Sequence, residues 1–373
     1  MKKVFIISSV LLCLAGSFYV VYNFLLLEES PQKEKIQEVF KEDSKDKEVS
    51  TNAERISRIA DGDIKSLSLD ESGKKIQYYN SSEKGFWLSF FDGSNKQRLS
   101  NDDFEGLKNA IIWNQNKKEA LLEIGDSFYL YSFGNEKKFI KKTKALNWIN
   151  FNQKIVYTYE DFSTGKKTLN VANPDGSNWK EIATVESDDI NIAFIPGSAK
   201  ASFWPKPDSF NESNVSIVSV GEVEIDKVGE LKFGADYLWS NDGSKFLRSS
   251  VSQKGSSNLI LESCEARTGK CENMNLPTIA SKCAWSKNNK NIYCAAPINM
   301  GKNVVMPNDY LNNKFSSRDF FWKVNIENGK KEKVIDEKFI KEELDASDLL
   351  ISPNEDFLFF INKKDGSLFR III

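Results

Sequence analysis

Histidine is absent from the 373 residues of this chain, and arginine is scarce. Without imidazole there is no Ser-His-Asp or Cys-His nucleophile system and no histidine-held metal. Nor is there a side chain that titrates near neutrality at its ordinary pKa. Arg55, Arg58, Arg98, Arg248, Arg267, Arg318 and Arg370 are scattered, a poor basis for an arginine-cluster sialidase site, and lysine supplies the other 44 positive charges. The 51 basic and 53 acidic side chains nearly cancel, leaving a net charge of -2 and no global pull towards nucleic acid. The chain also lacks a Gly-x-Ser-x-Gly elbow, a P-loop, a dinucleotide-binding glycine fingerprint, an EF-hand loop and any Cys-x-x-Cys. No cofactor is expected.

Long apolar runs are confined to one place. Val4 to Leu27 is uncharged for 24 residues, enough at about 1.5 Å per residue to span a hydrocarbon core of roughly 30 Å. Lys2 and Lys3 precede it and Glu28-Glu29 follow, which orients the N-terminus towards the cytoplasm. The run is longer than a usual signal-peptide core, so a retained single-pass plasma-membrane anchor is expected, with secretion after cleavage near Ala15-Gly16-Ser17 as the alternative. Either way the remainder is extracytoplasmic. Glu28 to Ser50 carries eight acidic and five basic residues and reads as a flexible stalk. The expected domains are therefore 1–27 (cytoplasmic tip and anchor), 28–52 (stalk) and 53–373 (folded unit).

The folded unit reads as all-β. A large anchor residue is followed seven positions later by an apolar partner across a polar turn: Leu69/Ile76, Trp113/Ala120, Trp148/Ile155, Phe194/Ala201, Trp239/Phe246, Trp285/Ile292 and Ile351/Leu358. Successive anchors lie 44, 35, 46, 45, 46 and 66 residues apart. Turns such as Asp70-Glu71-Ser72-Gly73-Lys74 and Ser240-Asn241-Asp242-Gly243-Ser244 supply positive φ and side-chain caps for tight hairpins. Seven such units, each of about four short strands, predict a seven-bladed β-propeller rather than unrelated hairpins in a sandwich. The last unit ends after its third strand, and Glu54–Ala60 is placed to supply the fourth. The Asp-Gly turns are read as turns rather than calcium loops, and Asp102-Asp103 and Asp188-Asp189 as solvated loop carboxylates. The basic stretch Lys137, Lys138, Lys141, Lys142 and Lys144 is read as an exposed outer strand.

Trp239-Ser240-Asn241-Asp242-Gly243-Ser244-Lys245 and its counterparts resemble the WD40-like (PD40) repeats of TolB-type β-propellers, over residues 54–373. Lys282-Cys283-Ala284-Trp285-Ser286 with Ile292-Tyr293-Cys294-Ala295-Ala296-Pro297 is similar to a motif of membrane-anchored bacterial propeller proteins. The resemblance implies protein–protein contact at the cell envelope rather than catalysis. A membrane span and stalk stand where TolB has its N-terminal domain, so no role in the Tol system follows.

If Trp285 opposes Ile292, Cys283 opposes Cys294 on adjacent strands, and Cys264 and Cys271 flank the Thr268-Gly269 turn. Two local pairs outside a span favour disulfides over free thiols or a four-cysteine zinc site. The 66-residue spacing reflects an insertion, Pro297 to Arg318, containing Val304, Val305, Met306, Tyr310 and Leu311. It is either a partner-binding lid or local packing over its own blade. Asp236 and Asp348 each lie three residues before an anchor, near the loop face, as strand caps or at a channel mouth. The functional expectation is a membrane-anchored, non-catalytic module that binds or scaffolds an envelope protein, peptide or glycan. The alternatives are a carboxylate-dependent glycan-active enzyme using the channel and a purely structural receptor stalk.

Overall fold

Each repeat begins as a tight hairpin whose two strands bury apolar side chains. In a computed structural model, residues 55–133, 137–149, 153–221 and 224–373 are described. The expected anchor and stalk lie outside these residues. Among the described residues no helix is long and apolar enough to cross a membrane. All seven anchors sit directly opposite their partners in register, from Leu69 with Ile76 to Ile351 with Leu358.

The turn after Trp239 shows how the sequence closes such a hairpin. Ser240 Oγ donates to Asp242 Oδ1 at 2.7 Å and accepts the Lys245 amide at 3.0 Å, while Asp242 also accepts the Ser244 amide and hydroxyl. Gly243 has φ +69°, and a Cβ there would lie 2.2 Å from the Pro196 carbonyl of the neighbouring blade. Only glycine satisfies both demands. Burial alone would raise the Asp242 carboxyl, but these donors outweigh it and hold the group at about 2. Asp242 is exposed, so its contribution is discounted for solvent screening to about 1 kcal/mol. A depressed carboxyl stabilises above its unfolded pKa and loses that effect as pH falls through the folded value. Asp242→Asn is therefore expected to lower stability by about 1 kcal/mol at pH 7 and to match wild type near pH 2, as read by urea denaturation at both pH values.

The strands assemble into seven four-stranded antiparallel sheets. Blade 1 holds Ile64–Leu69, Lys75–Asn80, Gly85–Phe90 and Gln97–Arg98; blade 2 Leu107–Trp113, Glu119–Ile124, Ser127–Ser132 and Lys138–Lys142. Blade 3 holds Leu146–Ile149, Lys154–Asp161, Lys166–Ala172 and Lys180–Thr184; blade 4 Ile190–Phe194, Lys200–Pro205, Glu212–Ser219 and Ile225–Phe233. Blade 5 holds Asp236–Trp239, Lys245–Val251, Leu259–Glu265 and Cys271–Asn273; blade 6 Cys283–Trp285, Asn291–Pro297, Asp319–Asn325 and Lys331–Lys333. Blade 7 combines Ala346–Ile351, Phe357–Asn362 and Leu368–Ile372 with Ile56–Ala60, whose Ile56 pairs with Ile371. The first and last of the described strands thus share one sheet, which closes the ring.

The core lies between blades. Seven apolar clusters each join residues of two adjacent blades, as where Ile149, Val156 and Leu169 of blade 3 meet Ile192, Phe203 and Val218 of blade 4. Four anchors also donate their indole N–H to the preceding blade: Trp113 to Ser66 Oγ, Trp148 to the Ile112 carbonyl, Trp239 to Ser202 Oγ and Trp285 to the Leu238 carbonyl. At these four blades the anchor supplies a large ring with a polar handle, whereas Leu69, Phe194 and Ile351 fill the same position by apolar packing alone. Two disulfides, Cys264–Cys271 and Cys283–Cys294, bridge opposed residues of blades 5 and 6.

Candidate functional site

The upper face of the ring carries the loops that enter the innermost strands and those that join second to third strands. Blade 3 departs from its neighbours there. Its innermost strand has four residues, whereas its second strand runs for eight, so the hairpin of the second and third strands overhangs the face. Asp161 closes the tip by accepting the Ser163 amide at 2.9 Å and hydroxyl at 2.6 Å, which depresses the Asp161 carboxyl. This holds Phe162 clear of the surface, 91% exposed.

Beside the overhang lies a cavity of about 830 Å³. Blade 2 lines it with Lys108, Glu123 and Asp126 towards the axis, and with Phe139, Lys141 and Lys142 on its outermost strand. Blade 3 adds Thr158, Tyr159, Glu160 and Phe162; the connections into blades 3 and 4 add Lys144, Asp188 and Asp189; Lys206 of blade 4 closes the far side. Phe139 and Tyr159 are 57% and 39% exposed, so with Phe162 three rings face solvent around one concavity. Lone exposed apolar side chains are ordinary, but three on one cavity form a surface suited to a ring-bearing ligand.

The floor is a polar network centred on the buried Thr158 and Asp188. Thr158 Oγ1 donates to the Asp188 carbonyl at 2.9 Å, and the Asp188 carboxylate pairs with Lys144 at 3.2 Å and Lys167 at 3.5 Å. Burial would raise the Asp188 carboxyl, yet the Lys144 hydrogen bond and both lysine charges outweigh it, so the group stays below the usual range. Lys108 is raised, first by its hydrogen bond to Glu123 at 2.7 Å.

This arrangement corrects two readings. Asp188 is a buried, paired carboxylate rather than a solvated loop residue, and the Lys138–Lys142 strand is one wall of a cavity as well as an outer edge. Adjacent lysines and aromatics on one strand were the available signal. The overhang that turns them into a cleft depends on strand lengths in the next blade.

The insertion does not gather its apolar residues into an exposed patch. Met306 and Tyr310 are buried against Val251, Leu259 and Ile279 of blade 5 and its exit segment; Val304 and Val305 are half-buried, and the exposed Leu311 and Ile298 stand 13 positions apart in the segment. The segment crosses blade 5 to reach blade 4, where Asn308 donates to Asp208 at 2.9 Å and accepts the Ser209 amide at 2.8 Å. It is a strap over three blades. Beneath it Lys282, 2% exposed, pairs with Asp319 at 2.7 Å and Asp345 at 2.8 Å, and Tyr310 donates to Asp345 at 3.0 Å.

Asp236 and Asp348 stand on the innermost strands of blades 5 and 7, apart from the cavity of blades 2 to 4. Burial raises Asp236, against the Trp204 indole hydrogen bond at 3.0 Å, and raises Asp348, against Lys363 and Lys65. Asp348 has φ +50° in a bulge of its strand and is exposed. A second cavity of about 530 Å³ runs between the innermost strands of blades 5, 6 and 7, lined by Leu238, Trp239, Trp285 and Leu349. Among the described residues no three or more carboxylate or thiol side chains group to hold a metal ion.

No family model matches the chain, and no curated protein does. Solved structures do. An oligogalacturonate lyase of Vibrio parahaemolyticus is similar at 11% identity and TM-score 0.59, covering 85% of this chain and 93% of that one. Hydrazine synthase of Kuenenia stuttgartiensis is similar at 8% identity and TM-score 0.56, covering 85% and 97%. The Cps50 (Swd1) β-propeller domain of Myceliophteria thermophila is similar at 8% identity and TM-score 0.53, covering 85% and 99%. At such identity the likeness concerns the fold alone. It is enough to correct the expectation of a non-enzyme, because enzymes are among the structures built on this propeller. The architecture is the one implied by TolB-type and WD40-like repeats, a seven-bladed ring of four-stranded blades.

Proposed function

We propose that this chain is an extracytoplasmic, membrane-anchored recognition module that binds a glycan strand in the upper-face cleft of blades 2 to 4. The observation that carries the reading is the set of three solvent-facing rings, Phe139, Tyr159 and Phe162, around one polar cavity. Sugar rings present C–H faces that stack on aromatic faces, and their hydroxyls seek the carboxylates, hydroxyls and ammonium groups lining the same walls. The apolar run Val4 to Leu27 supports the anchor, and two disulfides support an oxidising compartment.

The test is affinity electrophoresis of the full chain through gels containing polygalacturonate, chitosan or dextran. At least one polymer is expected to retard it. Tyr159→Ala with Phe162→Ala should weaken that retardation about tenfold or more, while exposure of Phe162 keeps thermal stability within about 0.5 kcal/mol of the Tyr159→Ala single variant. Unchanged retardation in the double variant would remove the cleft from the account. Sizing the polymer afterwards reads turnover in the same sample.

A further inference from the structure

We infer that the axial cavity of blades 5 to 7 is a second binding site, one that takes a long-chain fatty acid with its carboxylate at Lys287. At about 530 Å³ the cavity falls within the range of roughly 300–1,000 Å³ of small-molecule sites. It opens on the other face of the ring from the cleft. Innermost strands run downwards from the upper face, and Asn241, Lys287, Ser352 and Pro353 stand in the hairpin turns that follow the anchors Trp239, Trp285 and Ile351. These four residues form the mouth.

Above the turns the walls are apolar. Leu238 and Trp239 come from blade 5, Ala284 and Trp285 from blade 6, and Leu349, Leu350 and Ile351 from blade 7. Both indole N–H groups are already committed, Trp239 to Ser202 Oγ at 2.7 Å and Trp285 to the Leu238 carbonyl at 3.2 Å. The two rings therefore offer a ligand carbon surface and no donor. A sugar or a peptide backbone would bring hydroxyl, amide and carbonyl groups against these walls, where each one left without a partner costs binding energy. An alkyl chain brings none, and each methylene withdrawn from water tightens its binding about fourfold.

The mouth supplies the charge. Lys287 is the one charged side chain among the residues lining the cavity; it is exposed, and among the described residues it makes no ion pair. Of the carboxylates in the adjoining turns, Asp242 is engaged by Ser240 and Ser244 and Glu355 by Tyr293, and none of them, Asp356 included, lines the cavity. Apolar walls closed by one unpaired cation match one alkyl chain ending in one negative charge.

The experiment is photocrosslinking of the full chain, in phosphatidylcholine nanodiscs, with palmitate carrying a diazirine on its chain, the adducts being mapped by peptide mass spectrometry. Adducts are expected in 236–239 and 346–351, displaced by excess palmitate and not by hexadecyltrimethylammonium. Lys287→Glu, at an exposed position, should lower that labelling about tenfold. Ala284→Phe, which fills the cavity, should abolish it. Absence of adducts from both segments in the unaltered chain would overturn the site. Adducts that hexadecyltrimethylammonium displaces equally well, or that Lys287→Glu leaves unchanged, would overturn the fatty-acid assignment. Glycan binding is read separately, because the cleft and this cavity share no lining residue.

Discussion

Replacing Lys282 by methionine is expected to destabilise the protein by about 3–5 kcal/mol, among the largest single-residue effects in the ring. The ammonium stands between Asp319 and Asp345, whose side chains are 0% and 1% exposed. Burial raises Asp319, and the Lys282 charge and hydrogen bond oppose it. For Asp345 the charge and hydrogen bond of Lys282, with the hydrogen bonds of Ser316 and Ser317, outweigh burial and keep the carboxyl below its usual range. Removing the cation leaves two buried carboxylates without a counter-ion, which costs more than the intact group contributes over an apolar replacement.

Two further results separate this cause from simple loss of packing. Without Lys282 both carboxyls are raised in the folded state, so folding takes up protons and the variant gains stability as pH falls towards the unfolded value near 3.8. Adding Asp319→Asn and Asp345→Asn to Lys282→Met should restore most of the loss at pH 7. Chemical denaturation of the three proteins checks this. A Lys282→Met loss unchanged by acid and by the two added substitutions would assign the effect to packing.

The second large effect belongs to the inter-blade anchors. Trp239→Ala is expected to cost about 3–5 kcal/mol, because it empties part of the cluster joining Ile195 and Trp204 of blade 4 to Phe246 of blade 5. Trp239→Phe keeps a ring but withdraws the N–H that Ser202 Oγ accepts at 2.7 Å in a site where Ser202 is fully buried. It should cost about 1–3 kcal/mol. Ser202→Ala in the Trp239→Phe background should then cost little, because the hydroxyl no longer has its indole donor. A double-mutant cycle by urea denaturation measures the coupling, and additive costs would mean that the indole bond contributes nothing.

These two predictions mark what was legible in the sequence and what was not. Trp239 and Phe246 are seven residues apart across one turn, so the pattern of large ring, polar turn and apolar partner is local and repeats. The same locality made Cys283 opposite Cys294 a consequence of Trp285 opposite Ile292. Lys282 gave no such signal. Its burial depends on Asp345, 63 positions away, and on a strap whose Asn308 bonds to Asp208, 100 positions away. Met306 and Tyr310 looked available to a partner because an apolar loop residue reads the same whether it faces solvent or a neighbouring blade. The cleft was hidden for a related reason. Lys141, Tyr159 and Asp188 come from two blades and the connection to a third, and only the ring brings them together.

The central claim is that ligand recognition resides in that cleft. Hydrogen–deuterium exchange of the full chain, with and without oligosaccharides of the polymer that retards it in affinity electrophoresis, tests it most directly. The account predicts slowed exchange in 138–144, 158–166 and 187–191, with the strap at 298–318 and the hairpin turns of the opposite face unchanged. Protection confined to the strap, to the axial cavity around Leu238 and Leu349, or to the opposite face would contradict it.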